Sequence, residues 1–147
     1  MSRVVVNEIE AKVGNDISFN DTVKIDTIKG KTTAGSITVQ GEGTATTNLQ
    51  QGLCKVWHHG SQDGATLEDS FNVGSLTDTG TGQQTINLTN NMANANYAAQ
   101  IGVHFGQSRF LFCESIATSS YKGSVYAVAN NAYQDAHQNT KVHGDLA

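Results

Sequence analysis

The chain has 147 residues, enough for one domain of ordinary size or for a small domain with an extension. Its formal net charge is -4, only 15% of its residues are charged, and its nine Lys and Arg residues are scattered. This pattern argues against nucleic-acid binding, which depends on a clustered basic surface. Two cysteines, Cys54 and Cys113, are too few for a disulfide framework, and we expect free, buried thiols.

The residue types favour strands and tight turns. The chain has 15 Gly and no Pro, and Thr, Asn and Ser fill much of the remainder. Threonine fits the pleated surface of a sheet, while Asn and Gly permit the positive φ angles of turns. Hydrophobic residues reach 37%, which favours folding over disorder. The apolar stretch near the N-terminus is too short for a secretory signal, and none approaches the roughly 20 residues of a membrane span, so we expect a soluble protein made in a reducing cytoplasm.

Residues 1–43 contain short alternating segments, at 17–19, 23–26 and 37–39, with turn signals between them. A ribbon of such segments buries too little surface to offset the entropy of ordering its backbone. Three copies around a common axis would bury the apolar faces together, so we predict an intertwined attachment or shaft segment in a homotrimer. The alternative is a flexible, partly ordered tail. The candidate attachment residues are Val4, Val5, Val6 and Ile9.

Residues 46–52 predict a short helical turn that Thr46 or Thr47 caps and Gly52 ends. We take this turn as the hinge between two parts of the chain. The predicted domains are therefore an N-terminal segment, 1–51, and a C-terminal β domain, 52–147.

The second part contains about seven predicted strands at intervals of about ten residues. They cover residues 53–57, 70–73, 85–88, 97–105, 109–113, 122–129 and a last strand near 141–143. The Gly-rich turn at 78–82 predicts a hairpin between the second and third of them. The fold class predicted from the residues is all-β, with an antiparallel β-sandwich or jelly roll after the extended segment.

A succession of motifs in this part carries a family resemblance. The motifs are Lys55-Val56-Trp57, Asp69-Ser70-Phe71-Asn72-Val73, Leu76-Thr77-Asp78-Thr79-Gly80-Thr81-Gly82, Thr85-Ile86-Asn87-Leu88-Thr89 and Met92-Ala93-Asn94-Ala95-Asn96-Tyr97. Their order and spacing resemble the C-terminal domain of tail-fibre and related virion proteins of tailed bacteriophages, notably those of marine bacteria. The chain departs from that pattern after Trp57, where His58-His59-Gly60 replaces an aromatic residue and an Asn-Gly turn.

The resemblance implies a structural virion protein, a tail fibre or fibre tip that attaches the phage to its host. The implied partners are further copies of the chain, other phage tail or capsid proteins, and a bacterial surface glycan or outer-membrane receptor. The implied location is the virion, after synthesis in the host cytoplasm. Two alternatives stay open: a head fibre, capsid-decorating or tail-connecting protein without a receptor, and a free lectin-like module.

No catalytic residue, metal ligand or cofactor is predicted. Ser, Cys, His and acidic residues are present, but no Gly-x-Ser-x-Gly elbow accompanies them and nothing pairs two acids. A histidine near a three-fold axis would supply three ligands to one metal ion, but His58 and His59 are adjacent and point to opposite faces of a strand. We therefore expect no enzyme and no metal site.

Aromatic side chains are the remaining candidates for receptor contact, because a ring offers a flat apolar surface to a sugar. Trp57 and Tyr97 are interpreted as core residues. Tyr121 and Tyr133 lie in Ser- and Asn-rich surroundings typical of exposed loops, and we predict them as receptor contacts. His58 and His59 are included as further candidate contacts.

Overall fold

The structure, a computed structural model, describes residues 22–30, 37–40, 43–61, 63, 65–104 and 108–147. These residues form an all-β chain with antiparallel sheets and one short helix. The strands are β1 (Thr38–Gln40), β2 (Thr46–Asn48), β3 (Cys54–Gly60), β4 (Leu67–Phe71), β5 (Val73–Gly80), β6 (Gln83–Leu88), β7 (Ala98–Val103), β8 (Arg109–Glu114), β9 (Ser120–Ala127), β10 (Ala132–Tyr133) and β11 (Gln138–His143). The helix α1 (Leu49–Gly52) separates β2 from β3.

A four-stranded sheet has the order β4-β3-β11-β7. Its register places Phe71, Trp57, Lys141 and Gln100 in one row across the sheet. Successive residues of a strand point to opposite faces, so this row lies on the outer face while the neighbouring row faces the core. The buried residues Val56, His58, Thr140 and Val142 follow that alternation on the two central strands.

The second large sheet contains five strands. Strand β6 pairs with β5 on one side and with residues 120–124 of β9 on the other. Strand β8 pairs along β9, and the short β10 pairs with Tyr126 and Ala127 at the end of β9. Consequently β9 is central in this sheet, as β3 and β11 are in the other.

The hydrophobic core lies between the two large sheets. Val56 and Val142 come from the four-stranded sheet, and Val73, Ile86 and Tyr121 come from the five-stranded one. Met92 and Tyr97, from the connection that leads into β7, complete the buried cluster. The Tyr97 ring packs edge-on against the ring of Tyr121, with 6.3 Å between centroids. The packing is therefore sandwich-like, since apolar residues of two sheets meet in one layer.

Most of the predicted strands are confirmed within two or three residues. A hairpin across the predicted 78–82 turn is also confirmed, and its strands are β5 and β6. The predicted strand at 70–73 is wrong as one element. Asn72 has a φ of 60°, a left-handed conformation that ends β4 at Phe71 and lets β5 begin at Val73. The helical turn ends at Gly52 as predicted, but its cap is Asn48, whose side chain accepts a hydrogen bond from the Gln51 backbone N–H at 3.0 Å.

The described parts of the N-terminal segment bury very little apolar surface. Residues 22–30 include no strand in the single chain. Val23, Ile25 and Ile28 are 46%, 58% and 59% exposed. Strands β1 and β2 form a two-stranded ribbon in which Val39 is also exposed. The division at residue 52 stays a prediction.

Candidate functional site

Two of the predicted receptor contacts lie inside the protein. Tyr121 is fully buried on β9 and His58 is buried on β3, so the prediction that they touch a receptor is wrong. Both side chains bond to Thr140: His58 Nδ1 lies 2.6 Å from Thr140 Oγ1, and the Tyr121 hydroxyl bonds to the same oxygen. The Ser-rich loop before Tyr121 suggested exposure, but Tyr121 occupies an inward position of the following strand.

The hydrogen bonds of His58 to Thr140 and Gln84 define which of its ring nitrogens carries the proton. The amide Nε2 of Gln84 is a donor and lies 3.2 Å from His58 Nε2, so that ring nitrogen accepts and Nδ1 carries the proton. Burial, with a smaller contribution from His59, lowers the pKa of His58 to about 4. The imidazole is therefore neutral at pH 7 and serves as a hydrogen-bonding core residue.

The outer face of the four-stranded sheet carries an exposed aromatic pair, Trp57 and Phe71, which we call the β3–β4 pair. The two residues are direct cross-strand partners, and their side chains are 38% and 51% exposed. The interpretation of Trp57 as a core residue is therefore wrong, whereas that of Tyr97 is confirmed by its 8% exposure. Lys141 lies opposite Trp57 on the other side, so an apolar patch meets a cation here.

The outer face of the five-stranded sheet carries a second aromatic surface, which we call the β8–β10 row. Phe110 pairs with Tyr126, and Tyr126 pairs with Tyr133. The Tyr126 and Tyr133 rings pack edge-on with centroids 5.4 Å apart, and the Tyr126 hydroxyl donates to Asn131 Oδ1 at 2.9 Å. Phe110 and Tyr133 are 58% and 43% exposed, and Phe112, two residues further along β8, is 43% exposed. Tyr133 thus belongs to a continuous aromatic surface.

Polar side chains border the β8–β10 row. Glu114 follows Phe112 on the same face of β8, and its Oε1 accepts a hydrogen bond from Ser124 Oγ at 2.7 Å. The ammonium of Lys122 lies 3.6 Å from the same carboxylate oxygen. An apolar centre with a polar border is the usual composition of a protein interaction surface.

Phe110 and Phe112 were not predicted as contacts, although the sequence contained a signal for them. In residues 109–113 they alternate with Leu111 and Cys113, which are half-buried, and Cys113 packs against the core. A period of two places the phenylalanines on the opposite, outer face. Burial raises the pKa of the Cys113 thiol, which is consistent with an unreactive side chain.

The other candidate residues have separate positions. His59 lies on the outer face of β3, beside Glu68, and is half-buried. Val4, Val5, Val6 and Ile9 lie outside the described residues. Within the described ranges, no helix has the length and apolar character that crossing a bilayer requires.

Comparison with known proteins adds no assignment. No protein-family model matches the chain, and neither the curated proteins nor the solved structures contain a significant match. The candidate site is therefore defined by the exposed aromatic surfaces of this chain alone.

Proposed function

We propose that this chain is a structural protein of a tailed bacteriophage virion, a non-enzymatic tail fibre or fibre tip that attaches the particle to the bacterial surface. The finer architecture in this proposal is a homotrimer of jelly-roll-like sandwiches with an intertwined N-terminal segment. The order of the sequence motifs supports the family, and the exposed apolar residues of the chain support assembly.

The observation that carries the proposal is the exposure of the β3–β4 pair. Trp57 and Phe71 belong to two of the motifs that resemble phage fibre proteins, yet they are adjacent on an outer face and 38% and 51% exposed. These large aromatic residues are part of the family pattern, but a single chain leaves them exposed. Residues of this kind are well suited to packing between subunits. We assign the β3–β4 pair to the contact between chains of the trimer.

The β8–β10 row is assigned to the host. Its residues Phe110, Phe112, Tyr126 and Tyr133 lie outside the motifs that carry the resemblance. A surface that selects a receptor is expected to differ between phages, while a subunit contact is shared. Aromatic rings stack on sugars and anchor protein interfaces, and three copies on one fibre raise the effective affinity.

A free lectin-like module is the second candidate, favoured by one feature. An open depression of about 250 Å³ lies beside Lys141 on the four-stranded sheet and includes Gln100, Gly102 and Asn139 in its lining. Amide groups next to an exposed tryptophan are suitable for a sugar ligand. A free lectin-like module would give the exposed Val23, Ile25 and Ile28 no role. Their exposure therefore favours the tail-fibre function.

Competition for adsorption tests the attachment role. Phage particles that carry the protein are mixed with their host cells, which have been incubated with the purified chain. We expect the chain to slow adsorption, and we expect the double variant Phe110→Ser and Tyr133→Ser to compete about ten-fold less well, because it removes two central aromatic contacts.

The matched control is Thr77→Ala, an exposed polar position on β5 of the same sheet, which is expected to compete like the unchanged chain. Circular dichroism establishes that each variant is folded. Failure of the unchanged trimer to slow adsorption would exclude the attachment role and favour a decorating or connecting protein.

A further inference from the structure

Four ligand-type side chains meet at one end of the four-stranded sheet, and each comes from a different strand or its border. We call His59, Glu68, His104 and His137 the histidine cluster. His59 lies on β3 and Glu68 on β4, while His137 directly precedes β11 and His104 directly follows β7. None of these residues belongs to either aromatic surface.

The register of the sheet explains why they meet. His59 pairs with Asp69 and Gly60 pairs with Leu67, so Glu68 is the extra residue of a β-bulge and turns toward the outer face. Gln138 pairs with Val103 in antiparallel register. His137, which precedes Gln138, therefore lies beside His104, which follows Val103. The backbone N–H of His104 donates to the carbonyl of His137 at 3.2 Å and holds the two borders together.

The distances suit a single small cation. His59 Nε2 lies 3.3 Å from Glu68 Oε2, and His137 Nδ1 lies 3.7 Å from Glu68 Oε1. One ligand atom from each of His59, Glu68 and His137 lies within 4.8 Å of the others. Ligand atoms about 2.1 Å from a tetrahedral zinc ion are about 3.4 Å apart, so only small side-chain adjustments are needed.

Two ring nitrogens of the cluster lie close to Glu68 without forming a hydrogen bond to it. His59 Nε2 and His137 Nδ1 are shielded from solvent and make no hydrogen bond within the described part of the chain. A shielded nitrogen without a hydrogen bond is unfavourable, and a coordinated metal ion would accept its lone pair. Both nitrogens face the same carboxylate, which would contribute the negative charge that a divalent ion favours.

We propose that His59, Glu68 and His137 bind a Zn²⁺ ion. Two imidazoles and one carboxylate suit zinc and related transition metals, whereas Ca²⁺ and Mg²⁺ take sets of oxygen ligands. The His104 ring borders the site, with centroids 5.9 Å and 6.2 Å from those of His59 and His137. The ion links β3, β4 and the start of β11, and it stabilises the folded sheet because the unfolded chain does not hold the three ligands together. The sequence alone predicted no metal, because its histidines are separated along the chain and converge only through strand pairing.

Zinc titration of the metal-stripped chain tests the site. The chain is prepared without a polyhistidine tag, and heat release is measured as zinc chloride is added at pH 7.5. We expect one ion per chain and an increase in the unfolding temperature that a chelator reverses. Each of His59→Gln, Glu68→Gln and His137→Gln should weaken binding by about 100-fold, because loss of a ligand exceeds the 10–100-fold effect of losing an outer partner.

His143→Gln is the matched control, since His143 lies at the opposite end of β11 and is also half-buried. It should bind zinc like the unchanged chain. Cobalt absorption provides a second measurement on the unchanged chain, where visible bands of a four-coordinate ion are expected. The proposal is overturned if the unchanged chain binds no zinc at millimolar concentration, or if all three ligand variants bind as tightly as the control.

Discussion

At the residue scale, the buried group around His58 links the fold to pH. The folded-state pKa of His58 is about 4, below the value of 6.5 for an exposed histidine, chiefly because burial disfavours the charged ring. Between these two pH values the unfolded chain binds the proton and the folded chain does not. The stabilising contribution of neutral His58 is therefore complete above pH 6.5 and is lost as the pH falls toward 4.

We predict that the free energy of unfolding falls by about 3 kcal/mol from this residue alone over that pH range. The measurement is urea unfolding at several pH values with a chelator present. In His58→Gln the fall should be smaller by this amount, although the variant is less stable at pH 7. Equal pH dependence in both chains would show that His58 is not the group responsible.

The burial of single residues was only partly predictable from the sequence. The inward position of Tyr97 follows from strict alternation. Tyr121 has Ser-rich neighbours that suggested exposure, and His58 is a polar residue type that is usually exposed. Their burial depends on Thr140 and Gln84, which come from other strands and cannot be paired without the register. The interpretation of Trp57 as a core residue was wrong because hydrophobicity alone does not indicate which face of a sheet a side chain occupies.

At the element scale, the turn of the β5–β6 hairpin depends on Gly82. Gly82 has a φ of 67°, and a Cβ there would lie 2.6 Å from the backbone nitrogen of Gln134 and 2.7 Å from the carbonyl oxygen of Val125. The carbonyl of Gly82 accepts from the Val125 N–H at 2.8 Å, so the turn is part of the five-stranded sheet. Glycine is required both for its backbone conformation and for close approach.

Gly82→Ala is therefore expected to lower the free energy of unfolding by about 3 kcal/mol or more, or to prevent folding. Gly43→Ala is the control, because a Cβ at Gly43 meets nothing within 4 Å, and its effect should stay near 0.5 kcal/mol. Thermal unfolding of the two variants measures the difference. Similar midpoints would contradict the role given to this turn.

Strand existence was more predictable than strand limits. Alternation identified β6, β7 and β8 closely, since each has one apolar face. It did not find β4 as a separate strand, because the reversal at Asn72 needs only one left-handed residue. The histidine cluster was also out of reach, since a bulge at Glu68 and three strand pairings create it.

At the scale of the whole molecule, the proposed function requires a trimer. The β3–β4 pair and four apolar residues of the N-terminal segment are exposed in one chain, and contact between chains would bury them. The four residues are Val23, Ile25, Ile28 and Val39. We predict a solution mass three times that of one chain. The double variant Trp57→Ser and Phe71→Ser should dissociate to monomers at micromolar concentration, while Phe112→Ser, a matched change on the other sheet, should remain trimeric.

Light scattering after size-exclusion chromatography measures these masses. A monomeric unchanged chain would remove the basis for the β3–β4 pair as a subunit contact. If Phe112→Ser dissociated to monomers while the double variant Trp57→Ser and Phe71→Ser stayed trimeric, the roles assigned to the two aromatic surfaces would be exchanged.

Electron microscopy of purified phage particles, labelled with antibodies against this chain, tests the central claim most directly. The particles come from bacterial cultures in which the gene is expressed. We predict gold label at the distal end of the tail or its fibres. Label confined to the head, or particles without label while the protein remains free in the lysate, would contradict it.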